Sequence, residues 1–224
     1  HIEKLYEPLF GLSKDMVMGL PISAEMLLAG IATAVAGVWV DRRKWHEPFL
    51  TGLFLAGIGN IYSWIAPDAL QFILSRGVTG FGYGLALISA QGFVISSADE
   101  SNKAQGLAHL FAGIFAGSIC GGAAGAMLAD RVGYRPVFLF GATLLVLTIF
   151  YTVIFMRQTF KSRKSRLIKQ HAERISIKKL WHFLTNRYIF SLMALAIIPS
   201  AIAGVGFINY FYPIYLNRLG ESQS

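Results

Sequence analysis

Cysteine is almost absent from this chain: one residue, Cys120, among 224. A lone thiol excludes a disulfide framework and a cysteine-based metal site. Charge is scarce too, at 14% of residues against 54% hydrophobic, and the 12 acids are outnumbered by 20 lysines and arginines. An ordinary soluble domain carries about 25% charged residues, so a chain this poor in charge, with a mean hydropathy of +0.53, is expected in lipid. No phosphate-binding loop, metal-spaced His/Cys cluster or nucleophile–base pair is found, so no catalytic, cofactor-binding or metal residue is assigned and no enzyme is expected. Gly80-Phe81-Gly82-Tyr83-Gly84 is not a dinucleotide fingerprint, because no strand precedes it. The chain opens on His1 and shows neither a signal-peptide pattern nor a lipidation motif.

Long apolar runs dominate instead. About 20 helical residues cross about 30 Å of hydrocarbon, and six segments meet that length, at 15–40, 48–66, 69–95, 105–129, 135–156 and 188–216. The expected fold class is all-α, a polytopic transmembrane helical bundle. The connections are short except for 157–187, which holds ten Lys and Arg against the single acid Glu173. Fourteen of the chain's Lys and Arg fall on the side of that loop, five on the other, and Arg76 lies within a span. The positive-inside rule therefore places 41–47, 96–103 and 157–187 in the cytoplasm. The net charge of +8 is explained by this asymmetry and by anionic lipid, and no nucleic-acid partner is expected. Within the loop, 175–186 reads either as an amphipathic helix on the inner leaflet or as a linker helix on the end of the bundle.

Gly113, Gly117, Gly121 and Gly125 recur every four residues within the fourth apolar run, with Gly122 beside them. Such glycines line one helix face. Each costs roughly 1 kcal/mol relative to alanine in water, but in a membrane a groove of this kind lets a second helix approach closely. The run stops at Asp130-Arg131-Val132-Gly133-Tyr134-Arg135.

Two boundaries are alike. Gly37-Val38-Trp39-Val40-Asp41-Arg42 closes the first span and Ala126-Met127-Leu128-Ala129-Asp130-Arg131 closes the fourth, as inverted repeats of three spans require. With these residues in place the chain resembles the major facilitator superfamily of secondary transporters. Gly37 to Trp45 is similar to its cytoplasmic motif G-x-x-x-D-R-x-G-R-[RK], with Lys44 and Trp45 in place of the second Gly and the following Arg. Arg76-Gly77-Val78-Thr79-Gly80-Phe81-Gly82 meets R-x-x-x-G-x-G. Gly113 to Gly122 meets G-x-x-x-G-P-x-x-G-G, with Ser118 in place of Pro. The resemblance implies helices 2 to 7 of a twelve-helix transporter. Residues 1–156 would be helices 2–6 of the first half, 157–187 a basic cytoplasmic linker, and 188–224 helix 7.

The resemblance also implies roles. Gly37, Asp41 and Arg42 would form a charged gating latch on the cytoplasmic side; otherwise they mark a helix end. Arg76, the one base within a span, needs a cavity, a partner or the interface. Glu25, the one acid well inside a span, is a candidate proton carrier with Arg76 or a residue of a missing helix, the two together being the expected substrate or proton pathway; otherwise it faces a water-exposed outer vestibule. Gly80, Gly113, Gly117, Gly121 and Gly122 are expected in helix packing. Asn60, Gln91, His109 and Asn209 are expected to join helices by hydrogen bonds. The glycine motif is associated in the family with antiporters, an implication that Ser118 weakens because a bending proline is lost.

The implied function is transport of a small solute by alternating access, coupled to protons, in the cytoplasmic (inner) membrane of a bacterium. The expected partners are the solute, H+ and the lipid bilayer. The competing reading is a membrane-embedded sensory or regulatory module that keeps the fold without carrying solute.

Overall fold

The computed structural model describes residues 14–155 and five isolated positions beyond them. The helices are α1 (Lys14–Arg42), α2 (His46–Ile65), α3 (Ala69–Ser97), α4 (Lys103–Val132) and α5 (Tyr134–Phe155), with a short 3-10 turn, Glu100–Asn102, before α4. All five are long and apolar enough to cross a membrane, and they match the first five expected spans. The sixth span (188–216), the basic linker (157–187) and Asn209 lie outside the described residues. Among the described residues no strand forms.

The breaks between helices have local causes. Pro67 follows α2, and Asp68 then caps α3 by accepting hydrogen bonds from the Gln71 backbone N–H (2.8 Å) and side-chain Nε2 (3.0 Å). This satisfies one of the four unpaired N–H groups at a helix start. Between α4 and α5 the turn is one residue. Gly133 adopts φ +85° while its N–H bonds the Ala129 carbonyl at 2.8 Å, a left-handed conformation that glycine reaches without a Cβ clash.

The centre of the described unit is α3, which packs along α1 on one side and α2 on the other; α2 in turn packs on α5. The contacts are made by small residues, because lipid supplies no hydrophobic drive and close van der Waals fit must hold the helices together. At the α2–α3 seam a Cβ on Gly52 would lie 2.5 Å from the Gly82 carbonyl, and one on Gly59 would strike Thr79. Lower on the same seam the Ser63 and Ser75 hydroxyls share a buried hydrogen bond of 2.7 Å. At the α1–α3 seam Gly84 faces the Ala29 carbonyl and Ala32, and Gly77 faces Leu28. Ala32, Ala36 and Leu85 form the buried centre there.

Large apolar side chains point outward, among them Leu27, Phe54, Phe115, Ile119, Leu144 and Phe150, all more than half exposed. That is the arrangement of a bundle solvated by lipid. On α4 only Ala129 is buried.

Candidate functional site

Glu25 lies on α1 and Arg76 on α3, both on the seam between those helices. Gly80 is one turn beyond Arg76, and any Cβ there would strike the Glu25 backbone carbonyl. The glycine therefore brings α1 close to α3 at the acidic residue itself. The R-x-x-x-G spacing thus has a physical meaning here: the arginine extends along the seam to a carboxylate whose backbone the glycine admits.

The resulting contact is a two-pronged ion pair. Arg76 Nη2 donates to Glu25 Oε1 and Oε2, each at 2.6 Å, and Nε donates to Oε2 at 3.1 Å. The side chains are 18% and 22% exposed. Shielded pairs of this geometry are stronger than surface ones, and in a span each partner removes the cost of leaving the other charge alone. Arg76 Nη1 reaches Asn60 Oδ1 on α2 at 3.5 Å, the limit of a hydrogen bond, and the guanidinium lies 5.8 Å from the Phe138 ring centroid on α5. Arg76 thus touches side chains from three other helices, in a cation–π arrangement on one side and a salt bridge on the other.

The other expected site residues are distributed differently. Gly37 has nothing within 4 Å of a Cβ position. Asp41 and Arg42 are exposed and make no ion pair among the described residues; the ion pair near them is Arg43–Glu47 at 3.3 Å, on the surface. Gly80 is tightly packed, but a Cβ added at Gly113, Gly117, Gly121 or Gly122 would meet no neighbouring element within 4 Å, and one at Gly125 would meet only Val137 at 3.9 Å, so the glycine face of α4 is largely open among the described residues. Cys120 is exposed on the same helix.

Asn60 was expected only as a helix-joining polar residue, Trp45 stood out only as a departure from the cytoplasmic motif, and Phe138 was not expected at the site. An asparagine in a span was the signal available for Asn60. Phe138 carried none, since it is one of several large apolar side chains along α5.

The pattern of the Major Facilitator Superfamily matches residues 6–224. The chain belongs to the major facilitator superfamily. Among curated superfamily relatives it is similar to "Multidrug resistance protein MdtG" of an ExPEC strain of Escherichia coli, 27% identical over 166 residues, 74% of this chain and 40% of the relative. It is likewise similar to the protein of that name from an APEC strain, 28% identical over 155 residues, 68% of this chain and 38% of the relative. The chain spans about two fifths of the length of these relatives. No solved structure gives a significant match. Superfamily membership and five apolar helices make this a multi-pass membrane protein.

Proposed function

We propose that the protein carries a small solute across the bacterial cytoplasmic membrane by alternating access, with Glu25 and Arg76 coupling that movement to protons. The observation that carries this reading is the ion pair within the spans. A carboxylate and a guanidinium in lipid are costly groups, which a purely structural seam has no need of when close contacts at Gly77, Gly80 and Gly84 already close it.

The chemistry follows from charge. With Glu25 ionised, the pair is neutral. When Glu25 takes a proton, Arg76 loses its partner and the site gains a positive charge. A cationic solute and a proton are then alternate occupants, which is the logic of exchange; an anionic solute would instead enter with the proton. The relatives' name, multidrug resistance protein, makes drug-like organic solutes the class to test first. In this reading Asp41 and Arg42, exposed at the end of α1, meet a partner as the cytoplasmic side closes.

The experiment is efflux of a lipophilic cationic dye from vesicles holding the full-length protein, with and without an imposed proton gradient. Gradient-dependent efflux that is lost in Glu25→Gln and in Arg76→Ala supports transport. Absence of flux for any dye or metabolite tried, together with a ligand-dependent cellular response, favours the sensory reading.

A further inference from the structure

We propose that Trp45 is a positioning residue that fastens the connection between α1 and α2 to the far end of α3. The connection is Arg43 to Trp45. Its backbone makes local bonds, from Arg43 N–H to the Trp39 carbonyl (2.9 Å), from Glu47 N–H to the Lys44 carbonyl (3.2 Å) and from Phe49 N–H to the Trp45 carbonyl (3.3 Å). Trp45 holds the N-cap position of α2 and makes no side-chain capping bond, where serine, threonine, aspartate or asparagine is the usual choice.

Instead, the indole reaches across to α3. Its ring centroid lies 4.3 Å from that of Phe93, 6.0 Å from Phe49 and 5.9 Å from His46, the last edge-on. Aromatic rings at these separations attract one another beyond simple burial. Trp45, Phe49 and Phe93 are half-buried, whereas Asp41, Arg42, Arg43 and Lys44 are all exposed. The charged residues of this turn therefore do not hold it against α3. The aromatic ring does. One residue before Phe93, Gly92 admits Val40 from the last turn of α1, with a Cβ there only 2.8 Å from Val40 Cγ1. The ends of α1, α2 and α3 thus meet at one corner, and Trp45 closes it.

The consequence is mechanical. Arg42 and Asp41 sit three and four residues before Trp45, so the ring sets where those charges are presented. Their gating role rests on the transport reading; the fastening does not, and it is read without any solute.

The test places spin labels on Lys44→Cys and Ser97→Cys in the full-length protein, with Cys120→Ser, in liposomes, and measures the distance distribution by electron paramagnetic resonance. The wild-type ring and Trp45→Phe give one narrow distribution. Trp45→Ala and Phe93→Ala each broaden it by about twofold, and the double variant is no broader than either single one, since both remove the same contact. If Trp45→Ala does not fold, Trp45→Leu, which keeps apolar bulk without the ring, is expected to broaden the distribution as well. A distribution as narrow as wild type in the alanine or leucine variant overturns the proposal, as does additive broadening in the double variant.

Discussion

Arg76 on α3 holds both carboxylate oxygens of Glu25 on α1, across 51 residues of sequence. The two charges cancel within the apolar length of the helices, so removing one exposes the other. Breaking a buried pair one-sidedly costs about 3–5 kcal/mol; with roughly a fifth of each side chain exposed, about 1–3 kcal/mol is expected. Glu25→Ala should lower thermal stability in detergent by that amount. Glu25→Gln with Arg76→Gln should lower it by less than Glu25→Ala does, because no uncompensated charge remains.

Two glycines should behave oppositely. Gly80→Ala puts a methyl group into the Glu25 backbone, so α1 must move away from α3 and the ion pair must stretch; the expected loss is about 1–3 kcal/mol, as for other overpacked sites. Gly117→Ala meets nothing among the described residues and should stabilise α4 by up to about 1 kcal/mol through helix propensity. If Gly117→Ala proves as damaging as Gly80→Ala, the glycine face of α4 is occupied by a helix outside the described residues.

The turn at Gly133 makes a sharper demand. Its φ of +85° is costly for any residue with a Cβ, by roughly 1–2 kcal/mol. Gly133→Ala should reduce stability by that much, and Gly133→Val by more, as read by unfolding in detergent.

Asp68 should matter for the start of α3. Losing its bond to the Gln71 N–H, as in Asp68→Ala, is expected to cost about 1 kcal/mol. Asp68→Asn and Asp68→Ser should restore most of it, since both side chains still accept from that N–H.

How legible was this in the sequence? Five spans and their ends could be read from apolar length, because hydrocarbon thickness fixes how many residues a helix needs. Glu25 and Arg76 were legible as candidates for one pathway, because charges well inside a span are costly, but a partner for Glu25 on another helix and a water-exposed position stayed open. Asn60 and Phe138 were not legible as neighbours of Arg76, because which face of α2 or α5 turns inward depends on packing that apolar side chains spread around a helix do not encode. The glycines were legible only in part. The four-residue stripe on α4 drew attention by its regularity, yet the close approaches to another helix's backbone among the described residues occur at Gly52, Gly59, Gly80, Gly82 and Gly84, where spacing is irregular because two different helices are served. Trp45 was visible as a departure from a motif, but its contact with Phe93 joins positions whose proximity only the antiparallel packing of α2 and α3 creates.

The most direct test of the central claim is proton movement driven by solute. Liposomes holding the full-length protein and a pH-sensitive dye receive a lipophilic cation, and lumenal pH is followed. The account predicts a pH change on addition that disappears in Glu25→Gln. A pH change of full size in Glu25→Gln, or dye movement through the wild-type protein with no pH change, contradicts it.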